Sequence, residues 1–414
     1  MKILLIHQYF KDEGATGGLR FNEMVRVWKE AGHDITVIAG DLDAHISKRS
    51  DEYKGKFVTY KNQSGINVWR CYVSESYNRN FLGRLWAYFS FVFSGTYAGL
   101  FKLKEKYDVV LVSSPPLFVG ITAYLISVFK RRPFIFEVRD LWPESAIDTG
   151  VLQNKLVIKF AYWFESFVYK KAKRVNVLTP AFRKILIDKK DVPSEKIVMI
   201  PNAADFDITD RLLQTFNVEE FREIKGWANK FVVTYVGAHG VANGLHQVLD
   251  TAVLLKDTRV VFVMVGAGMK KNELKKRALN EGIKNVIFYD PVPKEEALKY
   301  VMASDIGASV LLRNDTFKTV YSNKTFDYMS CKKPILMAID GVSRELVEEA
   351  DAGVYVEPEN PVDFAKKIRI YLENPDLLKK QGENGYLFAK TRFDRNNLAT
   401  HYLSVLSEVA QSER

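Results

Sequence analysis

The sequence predicts an α/β protein with two doubly wound domains facing a central cleft. Strand-like apolar runs alternate with helix-like segments along the whole chain, and this alternation builds parallel sheets covered by helices. The 414 residues suit two domains of ordinary size. Between the halves, PNAADFDITDRLLQTF carries turn residues and loses strand periodicity, which predicts the boundary within residues 205–229.

Strands are predicted by six runs in the first half and five in the second. These are KILLIHQYF, DITVIAG, YDVVLVSS, PFIFEVRD, RVNVLT and KIVMIPN, then FVVTYVG, VVFVMVGAG, NVIFYD, IGASVLL and PILMAI. A first helix is predicted over residues 21–31. We assign residues 1–205 to the first domain and 206–392 to the second, with a helix over about 393–414 packing back on the first. Open α/β sheets bind ligands beyond the carboxyl ends of their strands, so those loops hold the candidate sites.

Composition narrows the classes of partner. Two cysteines, Cys71 and Cys331, stand in different halves without metal-ligand spacing, which argues against a disulfide framework or a zinc site and fits a reducing cytoplasm. The N-terminus MKILLIHQYF has no cleavage site and is interpreted as a first strand. A net charge of +10 favours acidic partners. No repeat of basic residues interleaved with exposed aromatics and no zinc-finger spacing is visible, so nucleic acid is not expected. Phosphorylated small molecules and anionic lipid remain as partners.

Residues 81–100 form an apolar, aromatic segment with three interpretations. The length approaches that of a membrane span, but Arg84 and several glycines interrupt it. The aromatic residues, followed by Lys102, Lys104 and Lys106, also suit a helix lying in a membrane interface. A buried crossover helix explains the same residues without a membrane. The similar mixture in LVIKFAYWFESFVYKKAKR favours membrane contact.

In the first half, candidate residues follow two strands. Gly17 and Gly18 stand directly before the first helix, where a ligand anion could meet backbone N–H groups; a plain turn is the alternative. Nearby, Arg20 is either an added cation or a solvated residue. FEVRDLWPES places four charged residues at a strand end, suited to acid–base or hydroxyl-orienting work: Glu137, Arg139, Asp140 and Glu144. Structural alternatives are a helix cap for Asp140 and ion pairs of Arg139 with Glu137 or Glu144.

In the second half, two glycine loops follow strands. YVGAHGVANG carries Gly237, Gly240 and Gly244, but Asn243 stands where a phosphate loop often has lysine. VGAGMKK carries a G-x-G turn, and its third glycine position is not glycine, so redox dinucleotide binding is disfavoured. The residues concerned are Gly266, Gly268 and Lys271.

The last constellation is RNDTFKTVYSNKTFDYMSCKKP. Tyr321, Ser322 and Asn323 form a polar turn, and Lys324 and Asp327 lie one helical turn apart. A cation near a helix N-terminus is unfavourable unless an anion is bound there. Lys324 is therefore either a phosphate ligand or a surface residue paired with Asp327.

Taken together, the twin sheets, the paired glycines, IPNAAD and SNKTFDYMSCKKP resemble glycosyltransferase family 4, with the GT-B fold of two Rossmann-like domains. VRDLWPES, SSPPL and KTFDYM resemble its bacterial surface-polysaccharide branch, which includes N-acetylfucosamine transferases of O-antigen and capsule assembly. The resemblance implies a retaining hexosyltransferase that needs no metal or other cofactor. Its substrates would be a UDP-sugar and a glycan or lipid-linked (polyprenyl diphosphate) acceptor.

The resemblance also assigns roles to residues. It implies catalytic roles for Asp140, Lys324 and Arg139, and an acceptor region at Glu137 and Glu144. Asp327 matches the second acid of the family's E-x7-E motif, expected on the ribose, and Thr319 replaces the first. Because the family's loop cations are missing, Lys324 must meet the diphosphate charge, aided by His239 or Arg313 and by the amides of Gly18 and Gly240. The full set of donor-binding candidates is Gly17, Gly18, Gly237, His239, Asn243, Gly266, Gly268, Ser322, Asn323 and Asp327.

The chain is accordingly expected in the cytoplasm, peripherally bound to the inner face of an anionic cell membrane. Two other functions remain open at this point. One is a GT-B-type sugar-nucleotide 2-epimerase, which shares the twin-domain layout. The other is a non-catalytic scaffold that binds nucleotide sugars at the membrane, suggested by Thr319 and Asn243.

Overall fold

A computed structural model describes residues 1–12, 20–43, 48–78, 81–148 and 152–412. The chain forms two compact units, one of Met1–Pro201 with Asn396–Arg414 and the other of Asn202–Arg395. The chain thus passes from one unit to the other after Pro201 and again after Arg395.

The N-terminal unit is built on an eight-stranded sheet in the order β10-β9-β8-β7-β1-β2-β6-β5, and β3 pairs with β4 alone. Its strands are β1 Lys2–Ile6, β2 Asp34–Gly40, β3 Leu42–Asp43, β4 Lys48–Arg49, β5 Val58–Gln63, β6 Ile66–Cys71, β7 Val109–Ser114, β8 Phe134–Val138, β9 Arg174–Val177 and β10 Ile197–Met199. Neighbours in the eight-stranded sheet are parallel except β5 and β6, which form an antiparallel hairpin.

Helices cover both faces of this sheet. They are α1 Arg20–Glu30, α2 Phe81–Tyr97, α3 Val119–Lys130, α4 Glu144–Asp148, α5 Lys155–Lys171 and α6 Pro180–Lys190. Helices α2, α3 and α5 pack side by side in one layer. In that layer, Gly99 lies against Ile126, and Gly120 lies against Val168 and Phe136. The absence of a side chain at these two glycines lets neighbouring helices and the sheet approach closely.

The C-terminal unit carries a six-stranded parallel sheet in the order β13-β12-β11-β14-β15-β16. Its strands are β11 Phe231–Val236, β12 Val260–Val265, β13 Val286–Tyr289, β14 Ile306–Val310, β15 Ile335–Ala338 and β16 Gly353–Tyr355. Its helices are α7 Phe206–Thr215, α8 Val218–Ile224, α9 His246–Leu254, α10 Lys271–Asn280, α11 Lys294–Met302, α12 Asn323–Ser330, α13 Val342–Glu349, α14 Pro361–Glu373 and α15 Pro375–Arg392. The order reverses between β11 and β14, and such a switch point opens a crevice at the carboxyl ends of these two strands.

The final helix, α16 Arg395–Gln411, returns to the N-terminal unit. It packs with α1 on the second face of the first sheet, where Tyr402 shares a buried cluster with Phe21 and Trp28. The indole Nε1 of Trp28 donates to the carbonyl of Ala399 at 2.8 Å.

The aromatic segment at residues 81–100 is a helix that is half core and half surface. Ala87, Phe91 and Val92 are buried, whereas Trp86 and Phe93 are more than half exposed. Within the part of the chain that the structure describes, no helix is long and apolar enough to cross a membrane.

Candidate active site

In the C-terminal unit, Tyr328 of α12 holds open the crevice between β11 and β14. The two strands pair only at Val233 with Ile306 and at Thr234 with Gly307. Beyond that point the Tyr328 hydroxyl accepts from the Val236 amide at 3.2 Å and lies 3.1 Å from the Ala308 carbonyl. A Cβ on Gly307 would lie 2.4 Å from the Tyr328 ring. Sequence reasoning missed Tyr328, although a glycine inside the buried strand IGASV is a signal of close approach.

Lys324, in the first turn of α12, reaches the glycine loop that follows β11. Its Cε lies 3.4 Å from the position of a Cβ on Gly237, and its Nζ lies 5.0 Å from the Tyr235 ring centroid. Burial lowers the pKa of Lys324 to about 8, and the carboxylate of Asp327 opposes this shift. The structure thus brings Gly237 together with Lys324 and Asp327, which lie far from it in the sequence.

The helix turn beside Lys324 is open at its N-terminus. Ser322 precedes α12 but does not cap it, because its hydroxyl accepts from Ser309 at 2.8 Å and its amide donates to Ser343. Asn323, the first residue of α12, is exposed. Thr319 lies in the preceding turn and donates its hydroxyl to the Thr316 carbonyl at 2.6 Å. Backbone N–H groups and the positive end of the helix dipole are therefore presented beside the Lys324 ammonium.

His239 does not supply charge to this crevice, which corrects the expectation. It is fully buried, and its ring packs between Tyr235 and Phe288. Burial, with the charges of Lys271 and Lys275, lowers the pKa of His239 to about 4. The imidazole is neutral at physiological pH.

Gly266 and Gly268 pack against the loop after β11 and are not open to a ligand. A Cβ on Gly266 would lie 1.9 Å from the Gly237 carbonyl oxygen, and one on Gly268 would lie 2.4 Å from that of His239. The two loops are further joined by the His239 amide, which donates to the Ala267 carbonyl at 2.8 Å. These glycines let two backbones touch, so the loop after β12 supports the loop after β11.

Two other polar groups expected at the diphosphate are occupied within the loop. The side-chain Oδ1 of Asn243 accepts from the Gly240 amide at 3.3 Å. Asn243 therefore shapes a short 3-10 turn, Val241–Asn243, and its carbonyl takes the amide that we expected to meet a phosphate.

The remaining cations at this sheet edge are paired. Arg313 donates to Glu357 at 2.6 Å, at a half-exposed site. Lys271 donates to Asp290 and to the carbonyls of Gly266 and Tyr289, each within 2.8 Å. Lys324, in contrast, makes only a long hydrogen bond within the described residues, from its Nζ to the Ser322 hydroxyl at 3.4 Å. The auxiliary role expected of Arg313 is not supported by its contacts.

In the N-terminal unit, Glu137 is a core residue, which corrects its assignment to an acceptor region. It is fully buried, and its carboxylate accepts from Arg20 at 3.1 Å, from Ser113 at 3.2 Å and from Asn176 at 2.9 Å. Arg20 is likewise buried and also donates to the carbonyls of Ile200 and Pro201. The pair ties the start of α1 to the ends of β8 and β10, so Arg20 is neither solvated nor open to a ligand.

Asp140, just beyond β8, is the carboxylate that remains near the sheet edge. Its Oδ2 accepts from the Ser145 hydroxyl at 2.8 Å. Burial and the neighbouring Glu144 raise the pKa of Asp140, opposed by the Ser145 hydrogen bond. Glu144 is not open to an acceptor as expected, because its carboxylate pairs with Lys190 at 2.8 Å. Lys190 in turn donates to Glu165 at 2.6 Å.

Arg139 turns toward the end of β1. Its Nη1 lies 3.4 Å from Nε2 of His7, which is buried at the carboxyl end of that strand. Burial and the charge of Arg139 hold the pKa of His7 well below its ordinary value, so its ring is neutral. Arg139 pairs with neither of the two carboxylates that we considered, because Glu137 pairs with Arg20 and Glu144 pairs with Lys190. Sequence reasoning did not single out His7.

The expected glycines Gly17 and Gly18 lie outside the described residues.

Comparison with known families assigns a class to both units. Residues 16–203 match the glycosyl transferase 4-like domain, and residues 217–388 match the glycosyl transferases group 1 domain. The chain is a glycosyltransferase with the GT-B fold. More particularly, its pairing of these two domains places it among the enzymes of the family 4 type.

Curated relatives point to the same class. The chain is 25% identical over 269 residues to the glycosyltransferase WbjE of Pseudomonas aeruginosa, covering 63% of this chain and 65% of that protein, just under two thirds. It is 23% identical over 420 residues to WcaI of Escherichia coli K12, whose name assigns it to colanic acid biosynthesis, covering 98% and 99% of the two chains. Homologues of this chain are thus found among proteins of polysaccharide biosynthesis.

Solved structures share the fold. HepE of Anabaena, in complex with UDP, matches with a TM-score of 0.71 at 18% identity, over 99% of this chain and 100% of that one. WaaG, a glycosyltransferase of lipopolysaccharide biosynthesis, matches with a TM-score of 0.68 at 15% identity, over 98% and 99%.

Proposed function

We propose that the protein transfers a sugar from a UDP-sugar to a glycan or lipid-linked acceptor with retention of anomeric configuration, in the assembly of a bacterial surface polysaccharide. The sugar is an N-acetylated or deoxy hexose, as the resemblance to N-acetylfucosamine transferases implies. The observation that carries the donor site is the position of Lys324, beside Gly237 at the switch point of the C-terminal sheet. Support for UDP comes from HepE, a protein of the same fold that was solved with UDP and with UDP-glucose.

The donor chemistry follows from the groups around Lys324. Negative charge grows on the diphosphate as the bond to the anomeric carbon breaks, and fixed donors stabilise it. The Lys324 ammonium and the open first turn of α12 provide such donors. Asp327, one turn further along the helix, accepts the ribose hydroxyls. We propose that the reaction needs no metal ion or other cofactor, because the Lys324 ammonium and the first turn of α12 supply the positive charge.

We propose that the acceptor binds at the carboxyl edge of the N-terminal sheet. There Asp140 orients the attacking hydroxyl, held in place by Ser145. The acceptor hydroxyl attacks on the face that the diphosphate leaves, and its proton passes to the departing phosphate oxygen. A separate catalytic base is then unnecessary, and Arg139 contributes positive charge near the reacting groups.

The lipid-linked acceptor and the membrane contact are supported by the outer surface of the α2, α3 and α5 layer. Large apolar side chains there are strongly exposed, including Leu82, Trp86, Leu156 and Trp163 at 53 to 79%. Aromatic residues of this kind insert at the level of lipid headgroups. We propose that this layer holds the protein on the inner face of the cell membrane, where a polyprenyl-diphosphate acceptor lies.

Thermal unfolding against UDP, GDP, TDP, CMP and NAD, with magnesium or with a chelator, tests the donor site. A ligand that binds only the folded protein raises the unfolding midpoint. We expect a shift with UDP that the chelator does not reduce. If no nucleotide shifts the midpoint, the donor proposal is wrong.

Product analysis then separates the catalytic alternatives. Release of an epimerised nucleotide sugar without any acceptor would indicate the 2-epimerase. Tight UDP binding with no turnover on any donor and lipid acceptor would indicate a scaffold. Transfer that keeps the anomeric configuration supports the proposal.

A further inference from the structure

A pocket of about 440 Å³ lies at the amino-terminal edge of the first sheet, opposite to the edge that carries Asp140. It lies between the C-terminal ends of α3 and α5 and the segments that precede β8, β9 and β10. Six of its lining residues are cations and none is acidic: Arg131, Arg132, Lys170, Lys171, Lys173 and Lys196.

In the described part of the chain, the six cations stand without carboxylate partners. Among the residues that the structure describes, no Asp or Glu lies within ion-pair distance of any of the six, although many other lysines and arginines of the chain are paired. Lys196 is half-buried, and burial together with the charge of Lys173 lowers its pKa. Like charges gathered at one site repel each other, so an anion bound among them is stabilised.

The ends of the two helices account for only part of this charge. Cations near a helix C-terminus interact favourably with its dipole. Lys196 donates to the Lys170 carbonyl at 2.8 Å, and nearby Lys130 donates to the Leu103 carbonyl at 2.6 Å. The remaining cations make no such contact with a helix-end carbonyl in the described part of the chain. More positive charge is therefore gathered than the helix ends require.

Exposed apolar side chains lie on α3, which bounds the pocket, and on the π-helical turn that contacts α3. Val128 lines it, and Phe129, the next residue of α3, is 70% exposed. Phe101, in the π-helical turn Ala98–Lys102 that contacts α3, is 69% exposed. Cations next to protruding aromatic side chains match both parts of an anionic membrane surface, the headgroup phosphates and the acyl boundary. A soluble phosphate would have no use for the apolar part.

We propose that this pocket binds the phosphate headgroup of an anionic phospholipid, while Phe129 and Phe101 enter the bilayer interface. The inference rests on the proposed membrane contact and adds the specific site that makes it selective for anionic lipid. The pocket belongs to the N-terminal unit and the proposed donor site to the C-terminal unit, so lipid binding and donor binding can be measured separately.

The test is flotation of the full chain with vesicles of phosphatidylcholine alone and of phosphatidylcholine mixed with phosphatidylglycerol. The variant is Lys170→Gln with Lys173→Gln, since both side chains are exposed and line the pocket. The matched control is Lys366→Gln with Lys379→Gln, which removes the same charge from exposed positions of the C-terminal unit. Thermal unfolding with UDP checks that each protein is folded and reports the donor site.

We expect the unmodified protein to bind the anionic vesicles and not the neutral ones. Loss of two surface cations should weaken that binding about 25-fold, at roughly fivefold for each, and the control should bind like the unmodified protein. Equal binding by the pocket variant, or equal binding to both kinds of vesicle, would overturn the headgroup site. A rise of the unfolding midpoint with inorganic phosphate, without any binding to vesicles, would indicate a site for a soluble anion. That outcome would also overturn the headgroup site. If the unmodified protein binds the vesicles but UDP does not raise its unfolding midpoint, only the donor proposal is refuted.

Discussion

The Nζ atom of Lys324 lies 5.0 Å from the centroid of the Tyr235 ring, and so the ammonium sits at the end of strand β11, where the glycine loop begins. Family members commonly place their diphosphate cations in that loop, and here they are replaced. The contacts at the edge of the C-terminal sheet support a relocated charge, because His239 is neutral and Arg313 is paired with Glu357.

Replacing Lys324 with alanine should therefore weaken UDP binding by about 1 to 3 kcal/mol, the range for a hydrogen bond to a charged group. Isothermal calorimetry with UDP measures this directly. Lys366→Ala, an exposed lysine on α14, serves as the control and should bind UDP normally. Unchanged affinity in Lys324→Ala would place the diphosphate elsewhere.

The lowered pKa of Lys324 also predicts a pH dependence. The pKa of Lys324 is about 8 in the free folded protein, against an ordinary value of 10.5. Between these two values the unfolded chain binds more protons than the folded chain does. The contribution of Lys324 to the free energy of unfolding therefore rises with pH. Binding of UDP has the opposite dependence, because the diphosphate needs the protonated ammonium. Its affinity should fall about tenfold per pH unit above pH 8. The terminal phosphate of UDP does not cause this fall, because such a group loses its second proton near pH 6.

Lys324→Arg provides the matched control for this titration, because arginine stays charged throughout the range. Its UDP affinity should be flat between pH 7 and about 9. A wild-type profile that is equally flat would show that Lys324 does not titrate against the ligand.

The sequence predicted the strands and the loops of the donor site better than the partners of individual side chains. Periodicity located β11 and the loop at Gly237, and the turn before α12 marked Lys324 and Asp327. His239 follows β11 and Glu137 lies near the carboxyl end of β8, yet both are buried. Whether a polar residue at a strand end faces a ligand or the core depends on long-range contacts, such as the bond from Arg20 to Glu137, 117 residues away.

Glu137→Ala should accordingly act on stability and not on acceptor binding. Removing one partner of a buried ion pair leaves the Arg20 charge uncompensated, and such a loss costs about 3 to 5 kcal/mol. Urea unfolding followed by tryptophan fluorescence measures the change. The control is Glu30→Ala, which removes an exposed i,i+4 pair with Arg26 and should cost less than about 1 kcal/mol. A stable Glu137→Ala protein with a raised KM for the acceptor would restore the acceptor role.

Asp140→Asn should lower turnover much more than it lowers nucleotide affinity. The amide keeps the shape and can still bond with Ser145, but it cannot carry the negative charge that orients the acceptor hydroxyl. We expect kcat to fall by roughly 100-fold, the cost of misplacing a reacting group, with the UDP dissociation constant unchanged. Asp188→Asn, at an exposed position on α6, is the control. Equal losses in turnover and in UDP affinity would mean that Asp140 acts on the donor or on the fold.

Gly307→Ala tests the packing that opens the crevice. The new methyl group would lie 2.4 Å from the Tyr328 ring, so the ring must move and its hydroxyl must leave Val236 and Ala308. Overpacking of this kind costs about 1 to 3 kcal/mol, and the displaced α12 should also weaken UDP binding, since Lys324 lies on the same helix. Gly95→Ala is a matched control, because its methyl group would meet only ordinary contacts at 3.4 Å or more. If Gly307→Ala keeps both its unfolding midpoint and its UDP affinity, Tyr328 does not set the geometry of the donor site.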